Sequence, residues 1–343
     1  ITNPDNIYPG MVLIIPGRRR PVKNVNGYIY FLDQEAVPII RQYGSYLTYS
    51  SPFAYLIKED GTLQGIKDVP AIEASKEAGV VPMMAITNFT VTSLGENLAS
   101  VVLNNPQLVE RLIDEVLTIM EAKGYEGLNI DFENVLPADR EAYNRFLERT
   151  VARLHPRGYF VSTALAPKVS GEQTGLLYEA HDYPAHGRIV DFVILMTYEW
   201  GFRKGPPRAI SPMNEIRRVL DYAVSVIPRD KIYLGFQIYA RDWTLPFVPG
   251  QEAETFSPQE AILRAVQYGA VIQYDTVAES PFYRYTDAQG RRHEVWFEDA
   301  RSAQAKFDAV KEYNLKGISY WALGYPFPQN WVLLRDNFTI NKL

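Results

Sequence analysis

From Val25 to the C-terminus, short apolar runs alternate with amphipathic stretches, and no other feature of the chain limits its fold as strongly. Parallel strands cannot be joined by tight turns. They need a crossover, and a helix that buries its apolar face on the sheet supplies it. Strands are expected near Asn26–Phe31, Tyr46–Ser50, Val80–Thr87, Gly127–Asp131, Tyr159–Ala166, Asp191–Tyr198, Lys231–Tyr239 and Gly317–Trp321. Helices fall between them. In Pro106–Lys123, Leu108, Leu112, Val116 and Ile119 mark one face at helical spacing, and in Pro212–Val226 Ser211 is expected to cap while Pro212 takes the first turn. Eight strand and helix units in succession predict an α/β fold closed into a (β/α)8 TIM barrel, and 343 residues suffice for one such unit. The interval of about 241–301 is too long for a loop between the seventh strand and its helix. It holds a helical Ser257–Gly269 and strand-like Val271–Tyr274, Tyr283–Thr286 and His293–Phe297 around an Asp287–Gly290 turn. These predict a small α+β insertion on the C-terminal face, walling one side of a cleft.

Composition narrows the partners. A net charge of -5 without a long basic run argues against nucleic acid or an anionic membrane surface. No unbroken apolar run is long enough to span a bilayer, and Ile1 in place of Met fits a leader removed or left out. With no cysteine, a disulfide framework, a thiolate metal site and a cysteine nucleophile are all excluded. His155, His181, His186 and His293 show no ligand-like spacing and are expected to be solvated or structural, so no metal is implied. No glycine-rich phosphate cradle follows the first strand, so no nucleotide cofactor is expected. The 23 tyrosines and 5 tryptophans suit stacking on sugar rings, and equally a thick core.

The segment Glu126-Gly127-Leu128-Asn129-Ile130-Asp131-Phe132-Glu133 ends the fourth strand. Alternate residues share a face, which sends Asn129, Asp131 and Glu133 into the barrel mouth and Leu128, Ile130 and Phe132 outward against helices. Two carboxylates in a partly dry cleft repel, so one keeps its proton to higher pH, as a general acid must. A polar strand end balanced by Lys or Arg from elsewhere fits the same residues.

The octet resembles the Asp-Gly-x-Asp-x-Asp-x-Glu signature of glycoside hydrolase family 18, the chitinase-like barrels. The resemblance implies that Glu133 is the catalytic acid and that Asp131 turns toward the substrate's acetamido group. Glu126 and Asn129 stand where the family usually has Asp; Asn129 keeps a hydrogen-bonding partner beneath Asp131 but removes a charge. The Asn variant, followed by Asn134-Val135, is similar to the branch of bacterial spore cortex-lytic N-acetylglucosaminidases, which carry LysM modules ahead of the barrel. Residues 1–17 resemble the C-terminal remnant of such a module: Asn3-Pro4, then Pro9-Gly10, then a strand closed by Ile15-Pro16. The catalytic barrel would then occupy 18–343. Met196-Thr197-Tyr198-Glu199 resembles the family's Met-x-Tyr-Asp, which implies that Tyr198 binds the acetamido carbonyl, with Met196 and Glu199 beside it. Gly235-Phe236-Gln237-Ile238-Tyr239 resembles Gly-x-Pro-x-Tyr, with Gln237 and Tyr239 facing substrate. Trp321 matches the tryptophan that floors the pocket.

By resemblance, this is a retaining hydrolase that uses the substrate's own acetamido oxygen as nucleophile, with no cofactor. Its expected partner is an N-acetylglucosamine-containing glycan, bacterial spore cortex peptidoglycan first and chitin second. A non-catalytic chitinase-like lectin is the alternative of another class, opposed by the retention of Glu133. The resemblance also implies a monomer acting outside the cytoplasm, at the spore cortex, coat or cell wall.

Overall fold

The computed structural model describes residues 20–89 and 95–343; the segment read as a LysM remnant lies outside them. Eight parallel strands close on themselves: β1 (Val22–Ile29), β2 (Tyr49–Pro52), β3 (Val81–Thr87), β4 (Gly127–Asp131), β5 (Phe160–Leu165), β6 (Phe192–Leu195), β7 (Ile232–Gln237) and β8 (Gly317–Leu323). Each pairs with the next, and β8 returns to β1 through pairs such as Val25 with Ile318. The barrel is the (β/α)8 TIM fold expected. Its helices run outside, and a continuous apolar layer, including Leu128, Ile130 and Phe132, fills the space between them and the sheet. The barrel interior is also packed, with Phe192 stacked on Tyr233 at 4.4 Å between ring centroids and Tyr49 on Phe192 at 5.7 Å. A filled interior leaves the rim at the strands' C-terminal ends as the place for a site.

Several local expectations are corrected. The sixth strand stops at Leu195 because the Thr197 and Tyr198 N–H groups turn back onto the carbonyls of Leu195 and Met196, both at 2.9 Å. Ser211 does not cap the following helix. Its hydroxyl donates to the Thr197 carbonyl at 2.5 Å, and Pro212 is the cap of Met213–Val226. The buried face of Pro106–Lys123 is Val109, Leu112, Ile113, Val116, Leu117 and Met120, leaving Leu108 and Ile119 at its edges. Asn105 caps that helix, its side chain accepting from the Gln107 and Leu108 N–H groups.

Between β7 and the helix Ala300–Glu312 lies an antiparallel sheet of five strands, in the order Glu254–Phe256, Ala240–Leu245, Arg292–Trp296, Ser280–Thr286 and Gln273–Asp275. One face packs on the helix Pro258–Gln267, which Ser257 caps. The other carries Trp243 and Trp296 into a cluster with Tyr239 and Ile210, against which Tyr198, Trp321 and Tyr325 pack. That second cluster joins the insertion to the barrel rim.

Candidate active site

Asn129, Asp131 and Glu133 sit at the end of β4. Asn129 is fully buried; its Oδ1 accepts from the Tyr28 hydroxyl at 2.7 Å and its Nδ2 donates to Ser162 Oγ at 3.0 Å. A neutral amide thus satisfies a tyrosine on one side and a serine on the other, where a second carboxylate could only accept. Above it, Asp131 is buried, and its Oδ1 has no protein partner. An acceptor left bare in so dry a place costs free energy unless a ligand N–H supplies the bond.

Glu133 follows the strand and is half-buried. Its backbone is held by Asn88, one residue past β3. The Asn88 Nδ2 donates to the Glu133 carbonyl at 2.7 Å, and the Asn88 Oδ1 accepts from the Glu133 N–H at 2.9 Å. Asn134 then takes a left-handed φ of 53°, which Asn tolerates better than most residues, and the chain leaves the strand. Burial raises the Glu133 carboxyl well above the usual range, and the charges of Asp131 and Glu199 raise it further. Burial also raises Asp131. The site therefore keeps a proton near neutral pH, with Glu133 as the group that the neighbouring charges favour as its holder.

Tyr198 is placed from β6. Gly235 makes room for it: a Cβ there would meet the Leu195 carbonyl oxygen at 2.2 Å and the Tyr198 ring at 2.9 Å. The Tyr198 hydroxyl is kept protonated by burial first, then by the charges of Asp131, Glu133 and Glu199. Glu199 adopts a φ of 70°, costly for a residue with a Cβ. It is held there by Arg241, whose Nη2 donates to Oε1 at 2.7 Å and Nη1 to Oε2 at 3.0 Å, and by the Tyr239 hydroxyl.

Trp321 is half-buried and packs edge-on against Tyr28 and Phe53, with centroids 5.4 and 4.7 Å away, so its ring borders the same mouth. Gln237 is buried. Its Nε2 donates to Glu298 at 2.9 Å, Glu298 also accepts from Lys306 Nζ at 2.9 Å, and the Gln237 Oε1 has no protein partner. Met196 is half-buried where β6 ends, its N–H bonded to the Leu165 carbonyl at 2.9 Å. Asn88 and Arg241 had no sequence signal: each acts on a residue 40 or more positions away.

A surface hollow elsewhere is lined by Val169, Ser170, Gly171, Arg218, Asp221 and Tyr222. Its only carboxylate, Asp221, already accepts from the Tyr313 hydroxyl at 2.7 Å, and no second acid lines it. Among the described residues, no group of three or more His, Cys, Asp or Glu is arranged to hold a metal, and no helix is long and apolar enough to cross a membrane.

A carboxyl raised by burial just past the fourth strand, a bare buried carboxylate oxygen two residues before it, a buried tyrosine hydroxyl and a tryptophan at the rim form a candidate site of the kind a glycoside hydrolase uses. The family model described as Glycosyl hydrolases family 18 matches residues 33–325, and the chain belongs to that family. It is 48% identical over 303 residues to the cortical fragment-lytic enzyme of Bacillus subtilis (strain 168), covering 88% of this chain and 70% of that protein. Against the cortical fragment-lytic enzyme of Bacillus anthracis it is 43% identical over 340 residues, covering 96% and 78%. The crystal structure of the Bacillus megaterium spore cortex-lytic enzyme SleL superposes with a TM-score of 0.92 at 42% identity, covering 97% of this chain and 78% of that one.

Glu199→Gln is expected to move the alkaline limb of kcat/KM to lower pH by about one unit. The sign follows from Glu133: removing a negative neighbour, and leaving Arg241 uncompensated, makes the acid lose its proton sooner. A pH–rate profile of the variant checks it, and an unmoved or raised limb would show that Glu199 does not act on the acid.

Proposed function

We propose that this enzyme hydrolyses β-1,4 linkages at N-acetylglucosamine in spore cortex peptidoglycan, with retention of configuration and by substrate-assisted catalysis. The observation that carries this reading is the bare Asp131 Oδ1 beside a carboxyl that holds its proton. Glu133 gives its proton to the glycosidic oxygen as the C1–O bond breaks, and the substrate's acetamido oxygen closes on C1. Asp131 accepts the acetamido N–H and balances the positive charge that grows on the forming oxazolinium ring, while the Tyr198 hydroxyl donates to the acetamido oxygen's end. Glu133, now a carboxylate, takes a proton from the water that opens the ring. A protein nucleophile would have to face the acid across the scissile bond. Asp131 ends β4 and Glu133 lies two residues beyond it, close enough for the charge of one to act on the other.

The likeness to cortical fragment-lytic and spore cortex-lytic enzymes supports cortex fragments as substrate and a place of action outside the cytoplasm. The enzyme is expected to act as a monomer, without nucleic acid and without membrane insertion. Mass analysis of digests of purified cortex peptidoglycan and of chitin oligomers tests the substrate. New reducing-end N-acetylglucosamine is expected from cortex; cleavage of the chitin oligomers alone would replace this reading with a chitinase.

A further inference from the structure

We infer that the His181 side chain is a positioning residue: its imidazole replaces one rung of the β4–β5 ladder and so fixes the peptide between Asp131 and Glu133. The inference rests on the reading of Glu133 as the acid. The ladder opens with the Phe160 N–H donating to the Glu126 carbonyl at 3.4 Å, and the register runs through Gly127 with Phe160 to Ile130 with Thr163. Rungs of a parallel pair recur every second residue. Continued in those steps, the series reaches a rung from the Ala166 N–H to the Phe132 carbonyl.

That bond is not made directly. The Ala166 N–H donates to His181 Nδ1 at 2.8 Å, and His181 Nε2 lies 2.8 Å from the Phe132 carbonyl oxygen. An amide N–H can only donate and a carbonyl can only accept, so the ring is neutral and its proton is on Nε2. Burial pushes its ionisation down to about 4, which agrees with that state. The imidazole relays the missing bond while holding the two strands a ring's width apart, just where β4 delivers its acids to the mouth.

Phe132 is thereby fixed at both ends. Its ring stacks on Phe146 at 5.6 Å and 7° and on Tyr143 at 5.8 Å and 25°, and its carbonyl is held by His181. His181 is held in turn: its own carbonyl accepts from the buried Lys168 Nζ at 3.1 Å, and the His186 ring lies 6.1 Å away. Without the imidazole, either Phe132 C=O and Ala166 N–H go unpaired or the strands zip together by one more rung. Both move the Glu133 carboxyl.

Two measurements decide the matter. In wild-type enzyme with 15N-labelled histidine, His181 is expected to show the Nε2–H tautomer at pH 7; an Nδ1–H or doubly protonated ring overturns the inference without any variant. In kinetics, on whichever of cortex fragments or chitin oligomers is cleaved, His181→Phe should lower kcat about 100-fold with KM nearly unchanged, the effect of a misplaced acid. His181→Gln, whose amide offers an acceptor and a donor together, should recover most of the rate. A His181→Phe enzyme as fast as wild type overturns the inference, and so does equal impairment of the Phe and Gln variants with equal loss of thermal stability. If Glu133→Gln keeps its rate, the assignment of the acid fails whatever the tautomer; if it is inactive and His181→Phe is not, only the positioning role fails.

Discussion

Glu133→Gln should lower kcat by about 10³-fold or more while leaving KM within a small factor, because in the proposed mechanism one side chain is acid in the first step and base in the second, and each role contributes about 10²–10⁴. The amide keeps the shape of the carboxyl and the Asn88 clamp on the main chain, so binding should persist in calorimetry on an N-acetylglucosamine polymer. Stability supplies an internal control. Burial raises the Glu133 carboxyl well above the usual carboxylate range, so the wild-type fold holds a proton that the unfolded chain releases. The stability tied to that proton is present below the unfolded value and is lost as pH rises through the folded one. Glu133→Gln has no such loss, and its melting temperature should match or exceed that of wild type at pH 8. An active variant means that another group is the acid; an inactive one that melts early means that the fold, not the chemistry, was broken.

The sequence carried the barrel and the acid pair for one reason: both are local. The strand period places Asn129, Asp131 and Glu133 on one face and Leu128, Ile130 and Phe132 on the other, and no distant residue is needed to see it. Trp321 was visible as a residue of the last strand, and Tyr198 was read as the end of the sixth, although that strand stops three residues earlier. Contacts across the chain were not visible. Asn88 reaches Glu133 over 45 positions and His181 reaches Phe132 over 49, and neither belongs to a periodic pattern. Arg241 and Ala240–Leu245 were hidden differently: only Ile238 and Tyr239 separate this strand from β7, with no turn-forming residue between, so a second sheet begins with no sequence break to mark it. Ser211 shows the opposite error. A serine ahead of proline reads as a cap, but the Thr197 carbonyl offers its hydroxyl a closer partner.

Asp131→Asn separates the substrate-assisted route from any route through a protein nucleophile. The substitution keeps the shape, removes the charge, and can offer an N–H where the acetamido N–H needs an acceptor. A loss of about 10²–10³ in kcat is expected, the usual cost of deleting one preorganised electrostatic partner of the transition state. The alkaline limb should also fall, because the Asp131 charge is the larger of the two carboxylates that help Glu133 keep its proton. A thiazoline shaped like the cyclised intermediate should inhibit the wild type and bind much more weakly to the variant, since its ring nitrogen meets the oxygen that now lacks a partner. Were the wild type indifferent to the thiazoline, the acetamido group would not be the nucleophile. Were it inhibited equally with and without the Asp131 charge, the bare oxygen would have no part in holding the ring, and Tyr198 alone would have to orient it.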